Sequence, residues 1–258
     1  KIKVIMSDPN IDIIVPNYNK ANYLDECIGS VLNQTYVNWS LYIIDDCSTD
    51  NSSNILNKYK NEKKIKIIKL KKNKGPSFCR NLGMRLSKAE YISFLDSDDY
   101  WTNEKLQIQI LYMIKNNLNF TYTDYIPFIT KNNQKIYKKE TNLKKSFRFD
   151  DFIINSSINS STMIIAKKII KTKRFRKIGL LEDYLFKCDL LKSNIEAKKI
   201  DNSLAYYRIL PGNRSSNKVL NLFYLWKINR RYNNLNLYRN LMSIFGIVVN
   251  SIKKYGIK

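Results

Sequence analysis

Histidine is absent from all 258 residues. That excludes Ser-His-Asp and Cys-His catalysis, a histidine general base and every histidine-ligated metal site. Acid–base chemistry is left to Asp, Glu, Tyr, Lys or Cys. Glycine is scarce, at 7 residues. Neither G-x-G-x-x-G nor G-x-x-x-x-G-K-[ST] occurs, so no glycine cradle of either kind holds a phosphate. Cys27, Cys47, Cys79 and Cys188 lie far apart in the chain. Their spacing argues against a zinc site and a disulfide framework, and fits a reducing compartment. No run reaches the roughly 18 apolar residues of a membrane span, and no signal-peptide pattern is expected.

Negative charge is also in short supply: 22 acidic residues face 45 basic ones, for a net charge of +23. The excess has two readings. One is a coding bias toward Lys, Asn and Ile. The other is an anionic partner such as nucleotide phosphate, nucleic acid or an anionic membrane face. Against this background the scarce acids are not scattered. In Tyr91-Ile-Ser-Phe-Leu-Asp-Ser-Asp-Asp-Tyr-Trp101, a β-prone apolar run ends in Asp96, Asp98 and Asp99. Hard oxygen ligands at a strand end suit Mg²⁺ or Mn²⁺. A capped, solvated turn is the alternative, because helical spacing follows from Thr102.

Apolar runs predict strands at 11–16, 41–44, 65–70 and 91–95. Helical spacing predicts helices at 20–33, to about Tyr59, at 76–86 and at 102–114. Four strand–helix repeats indicate a mostly parallel α/β sheet. The polar clusters sit at the strand C-termini: Pro16-Asn-Tyr-Asn19, Asp45-Asp46 and Asp96-Ser-Asp-Asp99. Open α/β sheets bind ligands at that edge. The second half is less regular. A hairpin is expected at 120–129 and 134–138, a short helix at 150–154, strands at 161–166 and 204–208, and a helix following Gly179-Leu-Leu-Glu182-Asp183. From Lys218 the chain reads as helical, aromatic and basic.

In order and spacing these pieces resemble the family 2 glycosyltransferases, over roughly residues 11–215. The matching segments are Ile-Ile-Val-Pro16-Asn-Tyr18-Asn19, Ser30-Val-Leu-Asn-Gln34-Thr, Ile43-Ile-Asp45-Asp46-Cys-Ser48-Thr-Asp50, Asn73-Lys-Gly75-Pro-Ser-Phe-Cys-Arg80-Asn81, Leu95-Asp96-Ser97-Asp98-Asp99 and Leu181-Glu182-Asp183-Tyr. The resemblance implies a GT-A fold: a Rossmann-like, mostly parallel central sheet flanked by helices, with a C-terminal helical extension. A transferase domain is expected over 1–217 and the extension over 218–258.

The resemblance further implies a UDP-sugar donor and a Mn²⁺ or Mg²⁺ ion held by Asp98, with Asp96 on the ribose or on the metal through water. Ser97 belongs to the same donor-binding loop. Asp99 orients the loop or touches the donor sugar. Pro16, Tyr18 and Asp46 would build the uracil pocket, with Asn19 beside them, and Arg80 would suit phosphate or base. Asp183 is implied as general base and Glu182 as an acceptor-binding or orienting residue. One base without an opposed nucleophile implies inversion. Arg208 or Arg214 is a candidate for the diphosphate, with an ordinary basic surface as the alternative.

The partners expected are the nucleotide-sugar donor and a glycan or lipid-linked saccharide acceptor of a bacterial surface polymer, with no nucleic acid. The location expected is cytoplasmic, at the inner face of the membrane. Leu241-Met-Ser-Ile-Phe-Gly-Ile-Val-Val249 is too short to span a bilayer but suits a helix lying in its surface. Packing on the catalytic domain or a dimer interface is the other reading. Two further functions compete: a catalytically silent nucleotide-sugar-binding module, and a metal-dependent nuclease or nucleotidyltransferase.

Overall fold

The computed structural model describes residues 8–211 and 217–255. The first strand, β1 (Ile11–Asn17), is buried along almost its whole length, as a strand inside a parallel sheet must be. Its one internal acid, Asp12, is buried as well. Its Oδ2 accepts the backbone N–H groups of Lys88 and Ala89, which anchors the turn entering the fourth strand. Helix α1 (Ala21–Leu32) returns over the sheet to β2 (Trp39–Asp45). Then come α2 (Ser52–Lys58), β3 (Ile65–Lys69), α3 (Pro76–Leu86) and β4 (Tyr91–Phe94). β1 pairs in parallel with both β2 and β4, and β2 with β3. The four C-termini therefore share one edge. At Gly83 a Cβ would stand 2.5 Å from an Ile14 methyl carbon, so the missing side chain lets α3 lie directly on β1.

Beyond β4 the sheet becomes mixed. β5 (Tyr100–Trp101), α4 (Lys105–Lys115), β6 (Phe120–Lys131), β7 (Gln134–Tyr137), β8 (Ser146–Phe147), α5 (Phe149–Asn155) and β9 (Ile164–Ala166) follow. After the short helix α6 (Lys167–Ile170) come α7 (Glu182–Leu191), β10 (Ala197–Arg208), α8 (Lys218–Arg231) and α9 (Leu237–Tyr255). The spatial order is β3-β2-β1-β4-β9-β6-β10-β5, with β7 on β6 and β8 on β10. β9 runs antiparallel to β4 and to β6 because no long helical crossover precedes it. β6 and β7 form the expected hairpin.

Two elements depart from the sequence pattern. The strand expected from Ser161 starts at Ile164. Ser160–Thr162 is a 3₁₀ turn, because Asn159 accepts the Ser161 N–H at 2.8 Å and pulls the backbone out of the sheet. The strand expected at 204–208 begins at Ala197. Its first half, Lys198-Lys199-Ile-Asp-Asn202, looks solvated in sequence. In the fold Lys199 is buried and its ammonium is 2.8 Å from Asp124. The ion pair lets a charged strand enter the interior.

Helices α8 and α9 pack on α5 and α7. Leu225, Ile228 and Leu235 lie in the same apolar cluster as β1, β4 and α7. Among the described residues no helix is long and apolar enough to cross a membrane.

Candidate active site

The first two strands end in a hydrogen-bonded knot. Asn17 donates to Asp45 at 2.8 Å, and the Ser48 hydroxyl donates to the same carboxylate at 2.6 Å. Asn19 has a positive φ of 52° and its Oδ1 accepts the Thr49 N–H at 2.8 Å. These bonds fix the turn in which Tyr18 stands 45% exposed, its ring free to meet a ligand. Pro16 is partly exposed just before it.

Asp46 is buried beneath the turn. One oxygen accepts the Lys74 N–H and the other the Gly75 N–H, each at 2.7 Å. Gly75 has a φ of +87°, a conformation glycine adopts without strain, and Pro76 then starts α3. Asp46 thus clamps the loop leading into α3, the helix that carries Arg80. Each of its oxygens keeps a second lone pair for another donor.

The third strand end carries the clustered acids. Asp96 accepts from Arg80 at 2.6 Å, and Asp98 from Lys20 at 2.7 Å. Asp99 is 1% exposed. It accepts the Ser161 hydroxyl at 2.6 Å and the Arg208 backbone N–H at 2.9 Å. These bonds tie the acidic loop to Ser161 and to β10. Ser97 is buried too.

Burial lifts the Asp99 carboxyl well above the usual range, and Asp98 and Asp96 add to the lift. Burial also raises Asp98, against the pull of Lys20. Both shifts express one fact: negative charge is concentrated in a poorly solvated place, where it favours a cation.

Arg208 is neither a surface residue nor an open phosphate hook. It is buried. Its Nε donates to the Asp98 carbonyl at 2.9 Å and its Nη1 to the Thr130 hydroxyl at 2.9 Å, while Nη2 pairs with Glu26. Its guanidinium carbon lies 4.5 Å from the Tyr23 ring centre and 4.4 Å from that of Phe128. It ties β10 to the acidic loop. Arg214 lies outside the described residues.

Helix α7 begins with Glu182 and Asp183, where the helix dipole favours carboxylates. Leu181, with a φ of 60°, turns the chain into it. The Asp183 carboxylate is 2.8 Å from the Lys187 ammonium one turn on. Lys187 is itself buried and also donates to the Ile158 carbonyl at 2.6 Å. Burial pushes the Asp183 carboxyl up, but Lys187 and Arg80 outweigh it and hold the group below the ordinary carboxylate range.

Arg80 joins the two acidic groups. Burial works against its charge, and Asp96, Asp183 and Glu182 overcome that to raise its pKa. Among the described residues its Nε is buried without a hydrogen-bond partner.

The fold therefore gathers the Pro16–Lys20 turn, Asp46, Asp96 and Asp98 at one sheet edge, and Arg80 on α3 links this edge electrostatically to Asp183 on α7. Lys20, Glu26, Ser161 and Lys187 belong to the same network but stood outside the sequence reading. Lys20 had a signal, since it follows Asn19 directly. Ser161 and Lys187 had none, because their partners lie far away in sequence or on a helix face whose surroundings no motif encodes. A cavity of about 520 Å³ lined by Thr172, Lys173, Arg174, Arg176 and Asp189 contains none of these residues.

Residues 12–174 match the family described as glycosyl transferase family 2. The chain is 31% identical to the Escherichia coli UDP-Glc:alpha-D-GlcNAc-diphosphoundecaprenol beta-1,3-glucosyltransferase WfgD, over 86% of each chain. It is 34% identical to the Staphylococcus aureus poly(ribitol-phosphate) beta-N-acetylglucosaminyltransferase TarP, over 81% of this chain and 65% of that one. Among solved structures, S. aureus TarS in complex with UDP-GlcNAc superposes with a TM-score of 0.72 at 21% identity, covering 95% of this chain and 73% of that one. The Pyrobaculum calidifontis mannosyltransferase PcManGT in complex with GDP-Man and Mn²⁺ gives 0.69 at 11% identity, covering 98% and 77%. Both likenesses establish the GT-A architecture.

Proposed function

The chain belongs to glycosyl transferase family 2, and we propose that it moves a sugar from a UDP-sugar to a hydroxyl of a lipid-linked glycan in bacterial surface-polymer synthesis, with inversion and with a divalent metal. The observation that carries this reading is Arg80, which donates to Asp96 at the end of β4 and whose charge Asp183 at the start of α7 also stabilises. That link supports a donor site and a base acting on one sugar.

The residues present fit a divalent cation. Asp98 and Asp96 offer hard oxygen ligands at a place that concentrates negative charge. Among the described residues no third acidic or cysteine group completes a cage, so the remaining positions fall to diphosphate and water. When bound, the metal would supply charge neutralisation of the diphosphate leaving group. Lys20 is the internal cation it would displace from Asp98.

Tyr18 offers its exposed ring face to the base, with Pro16 and Asn19 shaping the turn and Asp46 holding the loop below. Arg80 keeps Asp96 in place, and its unpartnered Nε is a donor left over at the same edge. Asp183 is ionised at neutral pH. It takes the proton of the acceptor hydroxyl as that oxygen bonds to the anomeric carbon. The bond from that carbon to the diphosphate oxygen breaks, and its electron pair leaves with UDP. Glu182 orients the acceptor. A single base, Asp183, fits a single displacement, which gives a β-linkage from an α-donor. The retained Asp98 and Asp183 disfavour a silent module, and the family disfavours a nuclease.

The test is release of nucleoside diphosphate from a panel of UDP-, GDP- and TDP-sugars with Mn²⁺. UDP is expected from one donor, with at least about a hundredfold loss in Asp98→Ala and in Asp183→Ala. Release by both variants at the wild-type rate would remove these residues from the mechanism. Release of GDP or TDP instead would correct the donor.

A further inference from the structure

Helix α9 turns a broad apolar face to solvent. Its inward face sets Ile244 and Ile247 against the core but also buries polar side chains. Asn240 and Ser243 are 0% exposed. The Asn229 side chain donates to the Ser243 hydroxyl at 2.8 Å, and Ser243 donates to the Ile153 carbonyl. Its outward face is apolar. Tyr238 is 71% exposed, Phe245 67% and Leu241 52%, with Leu237, Met242 and Ile252 exposed beside them. At 3.6 residues per turn these six positions fall within one arc of about 140°. The arc is continuous, an ordinary surface helix keeps such a face polar, and an apolar patch of this kind marks an interaction site.

Charge selects the occupant. No acidic residue follows Asp201 in the sequence. Lys227, Arg230 and Arg231 are exposed on α8. At the turn into α9, Arg230 donates to the Leu235 carbonyl at 2.7 Å, two residues before that helix begins. Around the neighbouring Tyr232 stand Arg176, 5.3 Å from the ring centre, and Lys192, which donates to the Tyr232 carbonyl; the two share the single carboxylate of Asp189. A symmetric dimer through this face would set two such basic rims against each other. An anionic bilayer accepts both the apolar arc and the cations.

We propose that the outward face of α9 lies in the surface of an anionic membrane. This deepens the reading of a lipid-linked acceptor and rests on it only for the membrane's place in the reaction. The inner face gives the docking a consequence. Tyr184, the residue after Asp183, donates to Asn229 at 2.9 Å, and Asn229 holds Ser243 of α9. A seated α9 fixes the height and tilt of α7 above the lipid, and so the height of the proposed base.

The test is flotation of the full chain with phosphatidylglycerol vesicles and with phosphatidylcholine vesicles, without donor. Wild type should bind phosphatidylglycerol, bind phosphatidylcholine weakly and detach as salt is added. Leu241→Gln/Phe245→Gln should lower phosphatidylglycerol binding by about tenfold or more. Both side chains are exposed, so its unfolding temperature and its UDP release in solution should match wild type. Equal binding by the variant would overturn the proposal. So would a stable wild-type dimer that the variant converts to monomers. UDP release is read without vesicles, so the transferase reading and the membrane face fail separately.

Discussion

Asp183 and Lys187 are one turn apart, and their pairing makes a pH prediction. Lys187 helps hold the Asp183 carboxyl below its ordinary value. A base works when ionised, so the acid limb of kcat/KM should lie below the usual carboxylate range. Lys187→Met removes the favourable charge and leaves burial unopposed by it. The limb should then move to higher pH, with little change in rate at neutral pH. A uniform fall in kcat at every pH, with the limb unmoved, would make Lys187 a structural residue only. The same pair bears on stability. A carboxyl depressed in the folded state stabilises the protein above its unfolded value of about 3.9, and that contribution is lost as pH falls through the folded value. At this scale the candidate residues were legible as motifs, because each stands in a short segment with residue types that only some chemistries need. Their supports were not. Nothing near Asp99 in sequence points to Ser161 or Arg208.

Elements meet closely where a side chain is missing. α9 crosses α5 at Gly246, where a Cβ would stand 2.3 Å from an Ile154 methyl carbon and 2.7 Å from the Ile154 carbonyl oxygen. A carbonyl oxygen cannot rotate away as a side chain can. Gly246→Ala should therefore destabilise the protein by about 1–3 kcal/mol through overpacking, read as a lower midpoint in urea with an unchanged slope. An unchanged midpoint would mean the two helices separate at no cost. Strand and helix positions in the first half were legible because apolar runs and 3.6-residue spacing alternate there. β10 was half hidden, since Lys199 enters the interior only with Asp124 as its partner.

For the whole molecule, the C-terminal helices contribute to the same core as the sheet. Leu225, Ile228 and Leu235 share the apolar cluster with α7, and Tyr184 is bonded to Asn229 across the junction. The chain should unfold in one cooperative transition, with calorimetric and van 't Hoff enthalpies equal. Removal of residues 218–258 should lower the unfolding temperature sharply or abolish soluble protein. Two resolved transitions, or a truncated chain as stable as the full one, would make the helices an independent unit.

The sequence by itself determined the α/β alternation, the polar strand ends and the family. Those features are local: a strand's burial, a helix's spacing and a catalytic motif each fit within about ten residues. Only the tertiary structure decided which charges neutralise which, and which face of α9 is turned outward. Lys20 on Asp98 and Arg80 on Asp96 are matched by proximity in space. The apolar run of α9 has the composition of a core helix. Whether it packs inward or outward depends on Asn229, Ser243 and the Ile153 carbonyl, partners that binary patterning assigns to the surface and the fold places inside.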